Sequence, residues 1–273
     1  MQFFRLEKNI FNFQNKMKKR MHSKKINSHN QSQNRASKFA QKRINRNGDY
    51  AIWLVDGASI RKDINENFVK CGTSDQFRFI PKNHFWIDKD IDPKEYRFFI
   101  DRFVYERELL TSGKKYEKAE KKSDIFEKKE RLSSLECQKA IKNGRAKKEL
   151  LTQIKKKLIK KYSGAVKIWL VDGSLVRSLF LLDYCEGGHD KVYSFIPKNE
   201  IWIEQALSPA ERKFIILHEL HERYLMSQGK SYKNGHIGAT EIEDFYRENP
   251  NENLNERIKE EIKKNEVFCQ QKT

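Results

Sequence analysis

The chain has 273 residues, of which 37% are hydrophobic and 34% charged, and its net charge is +18. That length allows two small domains, each with a limited core. No apolar run reaches the roughly 18 residues of a membrane span, and four cysteines without C-x-x-C spacing (Cys71, Cys137, Cys185, Cys269) argue against a disulfide framework and for free thiols in a reducing, cytoplasmic setting.

Residues 1–48 form a basic arm, with thirteen Lys or Arg against the single acid Glu7. Dominated by Asn, Gln and Lys beyond residue 20, the arm is expected to be disordered; its acid-poor start is alternatively compatible with an organelle-targeting presequence. The chain then repeats itself. Ile52-Trp53-Leu54-Val55-Asp56-Gly57 recurs as Ile168-Trp169-Leu170-Val171-Asp172-Gly173, and the alignment runs on without a gap at an offset of 116 to Arg131 and Arg247. Roughly a third of the positions are identical, which reads as a tandem duplication with copies at 49–131 and 164–248.

Within each copy, Asp-Gly is predicted to turn a β-hairpin, because it takes up positive φ readily. In the second copy the hairpin strands are Ile168–Val171 and Ser174–Arg177, with Asp172 and Arg177 in contact, as Asp56 and Arg61 are in the first. Two more strands, Val192–Ile196 and Glu200–Glu204, flank the turn Pro197-Lys198-Asn199, matched by Pro81-Lys82-Asn83. Next comes a helix whose start, Ser208-Pro209-Ala210-Glu211, is a capping box, matched by Asp92-Pro93-Lys94-Glu95. It is expected to run about twenty residues and to stop at Gly229, or at Gly113 in the first copy. A second helix covers about 234–247. Lys114–Lys161, with eighteen basic and seven acidic side chains, is predicted helical, so that 132–163 is a charged helical linker and 249–273 a charged tail. The aromatic stripe Trp169, Tyr193, Phe195, Trp202 and Phe214 is placed in the core, where sheet covers helix. The fold class is α+β, with two tandem copies of a small unit.

The copies differ where chemistry is carried. His189, His218, Glu219, His221 and His236 stand opposite Thr73, Arg102, Phe103, Tyr105 and Glu120. On a helix, His218 and Glu222 lie about 40° apart on one face, with His221 about 60° to the other side of His218. His218-Glu219-Leu220-His221-Glu222 therefore has the geometry of H-E-x-x-H with a carboxylate as second ligand, and His236 on the next helix can complete the set. A catalytic zinc takes three such ligands and leaves a place for water. Glu219, next to the first histidine, is positioned as general base. The rival assignment uses His218 and His221 as ligands with Glu222 behind them, since the first copy keeps Glu106 at the position of Glu222 and a salt bridge through Arg107 or Arg223 would explain that. His189, in Gly187-Gly188-His189-Asp190, is a candidate substrate contact or fourth ligand.

Taken in order, Val171-Asp172-Gly173, Gly187-Gly188-His189, Ile196-Pro197, Trp202-Ile203, His218 to Arg223, Tyr232 and His236 resemble a small family of phage and prokaryotic proteins with a zincin-like core. The resemblance covers 167–247 and, through framework positions alone, 51–131. It implies a metal-dependent hydrolase of peptidase type and no particular substrate, and the chain departs from the peptidase pattern in having Glu222 for the second histidine. The competing function is non-specific nucleic-acid binding through the basic arm and linker, which together carry about +23 while the second copy is slightly acidic. A third possibility is a scaffold in which both copies are inactive.

Overall fold

The structure, a computed structural model, describes residues 39–65, 67–144 and 147–270. The predicted arm up to residue 38 lies outside the described residues. The first sheet contains β1 (Ala40–Asn47), β2 (Tyr50–Val55), β3 (Cys71–Thr73) and β4 (His84–Asp88) in the order β1-β2-β4-β3. The second contains β5 (Lys155–Leu158), β6 (Lys167–Val171), β7 (Gly187–His189) and β8 (Glu200–Glu204) in the order β5-β6-β8-β7. In both, the central pair is parallel and the outer strands antiparallel, and the registers match: Trp53 lies opposite Trp86, and Trp169 opposite Trp202.

The helices follow the same plan. In the first unit they are α1 (Gly57–Asp63), α2 (Tyr96–Thr111, after a 3-10 turn) and α3 (Tyr116–Ser133). The short helices α4 (Leu135–Asn143) and α5 (Lys147–Ile154) connect to the second unit, which has α6 (Gly173–Leu179), α7 (Pro209–Ser227) and α8 (Tyr232–Glu248), followed by α9 (Leu254–Gln270). None among the described residues is long and apolar enough to cross a membrane. The fold is thus α+β with two four-stranded sheets of the same strand order.

The predicted hairpin at Asp-Gly is replaced by a helix start. Asp172 caps α6 by accepting from the Leu175 amide at 3.2 Å, as Asp56 accepts from the Ser59 amide in α1. The glycine serves close approach and not positive φ: a Cβ at Gly173 would lie 2.4 Å from the Glu204 carboxyl, and one at Gly57 1.8 Å from that of Asp88. With α6 crossing between them, β6 and β8 can run parallel, which a hairpin forbids. Nor do Asp172 and Arg177 meet; Asp172 pairs with Lys94 at 3.1 Å, and Arg177 turns to Glu204 and Glu95.

Val192–Ile196 is also not a strand but a series of turns, closed by Tyr193 N to His189 O and Ile196 N to Tyr193 O at 3.1 Å. Its apolar side chains pack on the sheet without joining it. The Tyr193 ring covers Gly188, where a Cβ would come within 2.5 Å of the ring, and Phe195 stacks between Phe180 and Tyr193. The strand beside β8 is β7 instead. The Pro-Lys-Asn turns form as expected, with Asn83 and Asn199 both at φ 60°.

Ser208 caps α7 through the Glu211 amide, and the helix ends before Gly229 at φ 89°. Half of the capping box is absent, because the Glu211 carboxylate binds both terminal nitrogens of Arg247 in place of the Ser208 amide. The unit boundaries shift outward too. β1 falls in the predicted arm and β5 in the predicted linker; both are sheet edges whose Lys, Arg and Asn side chains keep an open edge solvated. The predicted tail is α9, which buries Ile258, Glu261 and Asn265.

Both faces of each sheet are covered. Ile168, Leu170, Ile201 and Ile203 point to Ile215, Ile216, Leu217 and Leu220 of α7. Val171 and Trp202 point the other way, to Leu175, Val176, Tyr184 and Ile196. Trp202, with Tyr193 and Phe195 nearby, therefore packs on the face away from α7, a correction to its expected place. Each fully buried aliphatic side chain contributes about 1.5–3 kcal/mol.

The two units meet through reciprocal ion pairs. Arg177 of α6 binds Glu204 of its own sheet and Glu95 of the first unit; Arg61 of α1 binds Asp88 of its own sheet at 2.8 Å and approaches Glu211 of the second at 3.6 Å. Glu95 and Glu211, like Arg61 and Arg177, are 116 apart. Cys185 lies 4.0 Å from the carbonyl of Val69, its own equivalent, so the contact repeats itself about an approximate two-fold axis passing between them. Burial alone would raise the Glu95 carboxyl, but the guanidiniums of Arg177 and Arg131 outweigh it and hold it down to about 2. A carboxylate depressed in the folded state stabilises the fold above its unfolded value and loses that contribution as pH falls through the folded one. Stability measured by denaturant should therefore fall as pH drops from about 4.5 toward 2, and Glu95→Gln should flatten that limb while lowering stability at pH 7.

Candidate metal centre

Helix α7 enters the second unit beneath the sheet, and its middle turn carries His218, Glu219 and Glu222. The edge strand β7 lies across it. Glycine at 187 permits this approach, because a Cβ there would sit 2.8 Å from Ile215 and 3.0 Å from the Glu219 carboxylate. Helix α8, turned back by Gly229 and capped by Ser231, brings His236 alongside.

Three donor atoms converge. Glu222 Oε2 is 2.8 Å from His236 Nδ1 and 3.5 Å from His218 Nε2, and the two ring nitrogens are 3.2 Å apart. His218, Glu222 and His236 form the one group among the described residues able to present three mutually close metal-ligand atoms. Both outer partners leave those atoms free to point inward. His218 Nδ1 meets Glu243 Oε2 at 2.8 Å, so the ring donates there and turns Nε2 to the centre. Glu222 Oε1 is bound by His189 Nε2 at 3.1 Å, leaving Oε2 inward.

His189 is fully buried and turned to Glu222. Its Nδ1 accepts from the Lys191 amide at 3.2 Å, so Nε2 carries the proton and donates to Glu222. His221 faces away, with Nδ1 3.1 Å from Glu261 of α9, and stands outside the converging group. Arg223 binds Asp190, Asn199 and Asn265, not Glu222.

The electrostatics are set by burial and by acids and imidazoles in mutual contact. Burial opposes ionisation of Glu222, yet its contacts with His189, His218 and His236 hold it well below the carboxylate range. Burial likewise works against Glu243, but its bond to His218 and the nearby Arg247 hold it at about 2. His218, between the two carboxylates, is raised well above the ordinary imidazole range despite burial. Glu219 is the exception. Burial, followed by the repulsion of Glu222, pushes its carboxyl up to about 8, against the opposing charge of His218.

In the first unit a guanidinium occupies the corresponding place. Arg102, at the position of His218, lies 3.4 Å from Glu106, 3.3 Å from Glu127 and 2.7 Å from Asp124. Glu106 and Glu127 correspond to Glu222 and Glu243. Phe103, in place of Glu219, stacks on Phe85 in the core at 4.5 Å. The same carboxylate pair thus surrounds a permanent positive charge in one unit and two histidines in the other.

Glu243 was not singled out from the sequence. Its one signal is that, like Glu127, it sits four residues before an arginine at the end of the second helix, and so reads as framework. The zinc donor set fits chemically: two imidazoles and one carboxylate, of which His218 and Glu222 are each turned inward by a further hydrogen bond. Comparison with protein-family models, with curated proteins and with solved structures finds no match to this chain.

Proposed function

We propose that the second unit is a zinc-dependent hydrolase of peptidase type, with His218 Nε2, Glu222 Oε2 and His236 Nδ1 as metal ligands. The reading rests above all on the contrast between units: where Arg102 neutralises Glu106 and Glu127, the second unit offers His218 and His236 beside Glu222 and Glu243. Drift of unconstrained residues would not leave three ligand atoms facing one another, with outer partners in place for His218 and Glu222. The first unit, on this reading, is a duplicated copy that has exchanged a bound cation for a covalent one.

Zinc would supply a Lewis acid that makes water nucleophilic near neutral pH. The chain's own residues do the rest. Glu243 fixes the His218 ring, and His189 fixes Glu222. Glu219, beside β7 and adjacent to His218, takes the proton from the attacking water and returns it to the leaving group. A dication held by those ligands would lower the affinity of Glu219 for a proton, which would suit it to act as base.

Purified protein should bind about one zinc per chain, and His218→Ala or His236→Ala should abolish binding. A wild type that stays metal-free when zinc is supplied would refute the reading. Glu219→Gln should keep the metal and slow cleavage of a denatured protein by about 100-fold or more. Zinc bound without any such cleavage would instead leave a structural site. To separate the two ligand assignments, zinc affinity should drop about tenfold in His189→Ala and remain unchanged in His221→Ala; the reverse pattern would move the site to His221.

A second reading, non-specific nucleic-acid binding, is supported by the exposed Lys118, Lys121, Lys122 and Lys129 of α3 and Lys139 and Lys142 of α4. Affinity for duplex DNA should fall steeply with salt and weaken further in Lys121→Glu/Lys122→Glu. Absence of binding at low salt would remove this reading.

A further inference from the structure

Arg61 belongs to the first unit, yet its side chain is buried against the second. Its Nη1 donates to Asp88 Oδ2 at 2.8 Å and to the Phe68 carbonyl at 3.0 Å, which fixes the guanidinium to its own sheet. The other terminal nitrogen crosses the interface. Nη2 lies 3.2 Å from Glu186 Oε1 and 3.6 Å from Glu211 Oε2. From Glu211 a line of ion pairs leads inward. Arg247 donates from Nη1 and Nη2 to the two oxygens of Glu211 at 3.0 and 2.9 Å, and from Nε to Glu243 Oε1 at 2.8 Å. The remaining oxygen of Glu243 holds His218 Nδ1 at 2.8 Å.

We propose that Arg61 is a positioning residue for the metal centre of the second unit, acting through Glu211, Arg247, Glu243 and His218. The inference rests on the zinc reading given above. The first link is a buried ion pair at 3.6 Å and the others are charge-assisted hydrogen bonds; every member has little solvent contact, so each group is held by its neighbours and not by water. Without Arg61, Glu211 keeps a single cationic partner and Arg247 shifts toward it. Glu243 then loses the donor that orients it, and the His218 ring loses the acceptor that turns Nε2 inward. The same guanidinium anchors Glu186, the residue before Gly187, and so fixes the start of the strand that touches Glu219.

The first unit contains the same line of residues at an offset of 116. Arg177 of the second unit binds Glu95, Glu95 binds Arg131, Arg131 binds Glu127, and Glu127 meets Arg102. Each unit thus reaches across to set the inner carboxylate of the other. The two lines differ in their last member, an arginine in one and a metal-ligand histidine in the other, so that only the line beginning at Arg61 ends on the site.

This mirror supplies the control. Arg61→Met and Arg177→Met each remove one cross-unit pair from the full-length chain, and each variant is titrated with zinc against a chromogenic chelator. Arg61→Met should weaken zinc binding about tenfold or more, with Arg61→Lys recovering part of the loss, whereas Arg177→Met should leave affinity within about twofold. Equal losses in the two variants, or no loss in Arg61→Met, would overturn the proposal. In metal-free protein, the His218 Nδ1 proton, slowed in exchange by Glu243, should give an imidazole N–H resonance that disappears in Arg61→Met and persists in Arg177→Met. If the wild type takes up no zinc, the hydrolase reading falls and this resonance decides the positioning role: persistence in both variants refutes it. Should either methionine variant fail to fold, Glu211→Gln and Glu95→Gln, which keep side-chain volume, make the same comparison one link further in.

Discussion

Taking a carboxylate and a guanidinium out of water costs several kcal/mol apiece, and the cost is offset only where the pair is close and its remaining donors and acceptors are met. Arg177 satisfies that condition with two carboxylates and a carbonyl, all buried, whereas Arg61 meets it through Nη1 alone, on Asp88 and the Phe68 carbonyl, and faces two acids across the interface as ion pairs without a hydrogen bond. The rest of the structure depends on these two side chains. The glycines after Asp56 and Asp172 are needed because the receiving carboxylates of Asp88 and Glu204 lie against them. The helices α2 and α7 start where Glu95 and Glu211 can reach the opposite arginine, and α3 and α8 end where Arg131 and Arg247 can close the pair. A charge network of this kind adds little net stability over an apolar contact, but it admits one register and no other, which is what a two-fold arrangement of similar units requires.

The cluster of His218, Glu222 and His236 inherits that order. Three layers surround it: the donors themselves, the partners that aim them (Glu243 and His189), and the ion pairs behind Glu243 that run into the neighbouring unit. Such depth is what holds a reactive constellation to within a fraction of an ångström. The helix alone would not do so, since the i, i+4 spacing of His218 and Glu222 brings them to 3.5 Å without fixing either ring or carboxylate plane.

Much of this was legible in the sequence, and the illegible parts share a cause. The cap at Ser208, the stop at Gly229 and the spacing of His218 and Glu222 are local, governed by neighbours a turn away, and they appear as read. The pairing of His236 with that helix followed from a short connection between α7 and α8. Asp172-Gly173 misled because the same dipeptide serves a tight turn and a capped helix, and what chooses between them is Glu204, 32 residues on. β1 and β5 lack an apolar alternation because they are edges. His218, Glu219 and His236 stand out because the first unit has other residues at those places, whereas Glu243 is matched by Glu127 and so is hidden. That Arg102 brings its own charge to the place of His218 depends on Glu106 and Glu127 meeting around it, which the sequence order does not display.

An arginine carries its charge on a tether. Nothing in the surrounding medium dilutes Arg102, competes for it or strips it away, so the first unit has the same internal charge balance whatever ions the cell supplies. Two histidines beside Glu222 have no such constancy, for their balance is settled by exchange with solution. Joined in one chain, the first unit is a half that does not respond to its chemical surroundings, clamped to a half that can.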